Sequence, residues 1–160
     1  MVSVDAGANW SPRFVSGGIS SEIDAVGCES KGICIGVDAG PARSAAGSSY
    51  LVSSVSAQSF HWANGPRGLL WWRAVTCGFE SSCVAVAEGQ KGPIVVELGA
   101  SGPRASAGLP RAPGLLVDAI WCSQASSACI VAGGSKSSGP LFMTSKLHGS
   151  TWTPWRRSEI

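Results

Sequence analysis

Six cysteines carry the clearest chemical potential in this 160-residue chain: Cys28, Cys34, Cys77, Cys83, Cys122 and Cys129. They fall into three close pairs, separated by five, five and six residues. Disulfides and metal ligation both use cysteine in this way. The spacings lack the tight two-residue knuckle of zinc modules, and only His61 and His148 could serve as histidine ligands, so disulfides are expected and no metal or other cofactor is. An even cysteine set in a chain rich in serine and glycine further points to an oxidising compartment.

The remaining reactive types are sparse. His61 and His148 lie beside or near tryptophans, without a repeated serine or carboxylate partner that would build a triad, and read as surface turn residues. Arg13, Arg67 and Arg111 each follow a proline, and three arginines at equivalent connections would form a cationic rim suited to acidic sugars or phosphate. Trp71, Trp72, Trp121 and Trp155 stand outside the repeat pattern, as contact residues do, although Trp72 equally suits a gap between packed units. No catalytic residue is expected among these.

The elements that must position these residues form an internal repeat. Ile23 to Cys28, Trp72 to Cys77 and Val117 to Cys122 are three copies of apolar, charged, Ala, β-branched, any residue, Cys. Each runs through a polar loop to a second cysteine and a β-rich run: Cys34 to Val37, Cys83 to Val86, Cys129 to Ala132. Six cysteines allow fifteen pairings, and the repeat selects 28–34, 77–83 and 122–129, because each unit then carries its own pair where two strands meet. A third apolar run follows in each copy, at Tyr50 to Val52, Ile94 to Val96 and Leu141 to Met143, with a fourth strand expected around or after Trp62, Ala107 and Trp152. Pro66-Arg67 and Pro110-Arg111, and more loosely Pro154 and Arg156, mark the connections between units.

A period of about 47 residues with four short strands is the length of one propeller blade. The expected fold is therefore all-β: blades of four antiparallel strands, about three and a half of them, with residues 1–18 ending a partial blade and 19–67, 68–113 and 114–160 forming full ones. A β-trefoil is the alternative, since three repeats in about 150 residues also suit it. Gly (21) and Pro (9) exclude a helical bundle, while a hydrophobic share of 44% excludes disorder. The formal charge of +2 is scattered rather than striped, so nucleic acid is not an expected partner, and no apolar run reaches the roughly 18 residues of a membrane span.

One motif carries a family resemblance. Ser3, Asp5, Gly7 and Trp10 match Ser-x-Asp-x-Gly-x-x-Trp, and Ser145, Gly149 and Trp152 repeat it with Leu147 in the acidic slot. Ser and Asp can bond nearby backbone, Gly permits a left-handed turn, and Trp anchors the turn to the core. The chain resembles the Asp-box, or bacterial neuraminidase repeat, propellers, a group including sialidases, and within it a cysteine-paired bacterial branch. The resemblance implies a non-catalytic scaffold that binds a protein or glycan in an extracellular or periplasmic setting, because the Asp-box is a structural motif lying away from the sialidase centre. Its alternatives are a sialidase-like glycoside hydrolase fragment with catalytic residues elsewhere, or a trefoil lectin. The sialidase apparatus of three arginines and a tyrosine nucleophile is not matched: the single tyrosine, Tyr50, occupies a core position equivalent to Ile94 and Leu141. The opening residues lack a secretory signal, and aligning Ser3 with Ser145 starts the chain inside a third strand. Further blades of a longer protein, or self-association, are expected to complete it.

Overall fold

The computed structural model describes residues 23–29, 32–38, 49–53, 60–79, 82–99, 102–110, 115–123, 125–135, 139–148 and 151–158. All regular structure among them is β, in three four-stranded antiparallel sheets, each drawn from one continuous stretch of chain. The first sheet is a meander of β1 (Ala25–Cys28), β2 (Cys34–Val37), β3 (Ser49–Ser53) and β4 (Phe60–Asn64). The second repeats it with β5 (Leu69–Phe79), β6 (Ser82–Gly89), β7 (Gly92–Gly99) and β8 (Gly102–Gly108). The third comprises β9 (Leu116–Ser123), β10 (Ala128–Ser135), β11 (Gly139–His148) and β12 (Thr151–Trp152), with β13 (Arg156–Ser158) pairing the far half of β11. In this third unit the fourth strand is thus split. Pro154 sits in the break between β12 and β13, and Arg156 returns to the ladder opposite Thr144. The Pro154–Arg156 pair therefore lies within a sheet, unlike Pro66-Arg67, which connects two sheets. A proline has no N–H to give a ladder, so it is accommodated at such an interruption.

The three sheets stack face to face in chain order. Successive residues of a strand point to opposite faces, and β6 shows the consequence: Cys83, Ala85 and Ala87 pack toward the first sheet, Val84 and Val86 toward the third. Its run Cys-Val-Ala-Val-Ala is apolar on both sides because both sides are covered. One core lies between the first two sheets, built from Ile35, Val37 and Tyr50 against Leu69, Trp72, Val75, Val96 and Leu98. The other lies between the second and third, where Ala74, Val84, Val86 and Val95 meet Val117, Ile120, Val131, Leu141, Met143 and Trp152. Bulges at Arg73 and Asp118 restore each strand's inward alternation after one extra residue.

Candidate functional site

The antiparallel registers give the stack two distinct ends. At one end the first hairpin of every sheet is clamped by a disulfide between directly opposed residues: Cys28–Cys34, Cys77–Cys83 and Cys122–Cys129. Their Cα separations of 4.0, 4.0 and 4.1 Å suit the closer type of cross-strand pair. Disulfides of this kind are typical of proteins outside the cytoplasm.

The same end carries the hairpin from Ser145 to Trp152. Ser145 is buried, and its hydroxyl donates to the Thr153 carbonyl at 2.5 Å. The Thr153 hydroxyl accepts from the Lys146 N–H at 2.9 Å, and the Thr153 N–H returns a bond to the Lys146 carbonyl at 2.8 Å. Trp152 is buried beside Trp155, the two rings stacked with centroids 5.8 Å apart. The Ser145 hydroxyl and both peptide groups of Lys146 are thus bonded to Thr153, next to Trp152. Ser3, Asp5, Gly7, Trp10 and Gly149 lie outside the described residues, as do Arg13 and Arg111.

Arg67 stands exposed in the turn joining β4 to β5, at the opposite end of the stack. Near it, on the same end of the second sheet, Trp71 pairs across strands with Glu88, and the Arg73 guanidinium lies over the Trp71 ring at 5.3 Å. Burial raises the Glu88 pKa above the ordinary carboxylate value, an effect that the charge of Arg73 partly opposes. At this end of the third sheet a shallow depression is lined by Leu116, Asp118, Gly133, Gly134, Ser135 and Gly139. Neither this depression nor the Trp71–Arg73–Glu88 group was expected from the repeat. The Gly133-Gly134 pair at the end of an apolar run, and the charged residue that recurs before each Ala, were the available signals.

The other sequence candidates fall apart in space or into the core. Tyr50 is buried, edge-on to Trp72 at 5.8 Å, and burial raises its pKa. Trp72 fills the space between the first two sheets and Trp155 is buried, whereas Trp121 is exposed. His61 is exposed on β4, opposite Val52. Among the described residues no group of three or more His, Cys, Asp or Glu side chains is arranged to hold a metal ion, and no helix is long and apolar enough to cross a membrane. No family model, no curated protein and no solved structure matches this chain.

Proposed function

We propose that this chain is a non-catalytic, propeller-type Asp-box repeat acting outside the cytoplasm as a scaffold that binds an acidic glycan or an acidic protein surface. The observation that carries the reading is the stacking of one four-stranded meander per repeat, in chain order, with the middle sheet covered on both faces. A trefoil would instead draw its barrel strands from all three repeats. The engagement of the Ser145 hydroxyl by Thr153 supports a structural role for the Asp-box, and the three clamps support an exported setting.

Binding belongs to the end opposite the disulfides. One end of the stack is committed to clamps and to the Ser145–Trp152 hairpin, while the other presents Arg67, the Trp71–Arg73–Glu88 group and the depression beside Asp118. Arg13 and Arg111 are the repeat equivalents of Arg67, and together the three would supply bidentate donors for carboxylates. The test is a titration with sialylated and neutral oligosaccharides, for the native chain and for a variant with Arg13, Arg67 and Arg111 replaced by alanine. Salt-sensitive binding of the acidic sugar that the variant loses is expected. Hydrolysis of the sialoside, or binding indifferent to the three arginines, would contradict the proposal.

A further inference from the structure

Both interfaces between sheets are built the same way. The face of the first sheet bearing Ile35 and Val37 packs on the face of the second bearing Cys83, Ala85 and Ala87. The face of the second bearing Val84 and Val86 then packs on the face of the third bearing Cys129 and Val131. Each contact joins the non-cysteine face of one sheet to the cysteine face of the next. That arrangement is heterologous and, among the described residues, leaves two unlike faces at the ends of the stack.

The exposures of equivalent residues show how incomplete those ends are. Val75 and Ile120, on covered cysteine faces, are 9% and 8% exposed, whereas their equivalent Val26 is 62% exposed. On the non-cysteine faces, Ile35 and Val84 are 3% and 0% exposed, against 38% for Ile130. The disulfides follow the same rule. Cys83 and Cys129 are fully buried under the preceding sheet, while Cys28 of the first clamp is exposed. Gly27 shows what normally covers a clamp: a Cβ on it would meet the Cys77 sulfur at 2.8 Å. The residue equivalent to Gly27 in the third unit is Trp121, which is 60% exposed and pairs across strands with Ile130.

We propose that this chain associates head to tail with a second copy, the outward face of β9 to β11 packing on the outward face of β1 to β3 of that copy. Trp121 and Ile130, flanked by Phe142 on the same face, cover Val26 and the Cys28–Cys34 clamp, as Gly27 covers Cys77–Cys83 within one chain. The second copy is the fitting occupant because these two faces, the outermost among the described residues, are the next members of a series that already pairs twice in the chain. The inference rests on this stacking and on none of the ligand chemistry proposed above.

Its test is light scattering coupled to size exclusion, and sedimentation, on the oxidised chain and on Trp121→Glu and Val26→Glu. The native chain is expected to show a species of at least twice its own mass. Either variant alone should weaken association by more than about tenfold, because each places a charge in an apolar contact. Retained disulfides and an unchanged circular dichroism spectrum show that each variant is folded. Mixing the two should restore a heterodimer, since Val26→Glu keeps an intact head and Trp121→Glu an intact tail. A native monomer at about 100 μM, well above a micromolar Kd, would overturn the inference. So would association that survives either substitution, or failure of the mixture to pair. Loss of glycan binding with assembly intact would instead strike only the functional reading.

Discussion

Replacing Trp152 by alanine tests whether the hairpin at the clamped end is anchored as described. The indole is buried between the second and third sheets and stacks on Trp155 at 5.8 Å. A tryptophan buries roughly 150–250 Å², which at about 25 cal/mol per Å² corresponds to roughly 4–6 kcal/mol. An extended reference chain overstates that area by roughly 10–40%, which leaves about 2.5–5 kcal/mol, and the ring pair adds about 1 kcal/mol. The expected loss is therefore about 4 kcal/mol, in the range of large-to-small changes in cores. For a chain of this length it corresponds to a fall in Tm of roughly 8–15 °C. The assay is thermal unfolding by circular dichroism without reductant, at matched protein concentration, for Trp152→Ala, Trp155→Ala and the double variant. The pair should show a coupling of about 1 kcal/mol in the double-mutant cycle. A fall smaller than about 3 °C, against the roughly 8–15 °C expected, would refute the anchoring role of this ring.

Four further outcomes are expected. Ser145→Ala should cost about 1 kcal/mol through the lost bond to the Thr153 carbonyl, read by the same unfolding assay. Gly133→Ala should be more damaging than its size suggests, because the added methyl would collide with the Leu116 carbonyl, and denaturant unfolding will measure it. Nonreducing peptide mapping should join 28–34, 77–83 and 122–129; with loops this short, reducing each clamp should cost about 2 kcal/mol by the chain-entropy relation. Tyr50, the single tyrosine, should ionise above its ordinary value of 10.0, seen as delayed phenolate absorbance. Its raised folded-state pKa means that its stabilising contribution is complete below the ordinary value and lost as pH climbs through the folded one, so stability should fall in that alkaline window and Tyr50→Phe should flatten the fall.

The strand pairs were legible because a cysteine at each end of a short polar loop fixes register as well as position. Cys28 opposite Cys34 dictates Ala25 opposite Val37, and the same holds in the other two units. Tyr50 is buried as expected, but the registers correct its equivalence by one residue: Val37, Val86 and Ala132, each three past the second cysteine, pair with Tyr50, Val95 and Phe142, so Ile94 and Leu141 lie on the other face. The split of the fourth strand at Pro154 was less legible, since a proline after a tryptophan reads equally as a connection or as a break inside a sheet. The candidate site was harder still. Trp72 and Trp121 both depart from the repeat, yet one fills a core and the other is exposed, a difference set by which face of which sheet is covered. Local sequence carries the alternation of a strand but not the number of neighbours its sheet will have.

Nuclear Overhauser contacts between sheets test the serial stacking most directly. In the oxidised protein the Tyr50 ring should give cross-peaks to the Trp72 indole, and the Gly27 α-protons to the Cys77 β-protons. Those contacts join the first sheet to the second and arise only if the two lie face to face with Ile35 and Val37 turned inward. A spectrum in which Tyr50 and Gly27 contact only residues of β1 to β4 would contradict the stacked arrangement, and with it both the scaffold and its head-to-tail assembly.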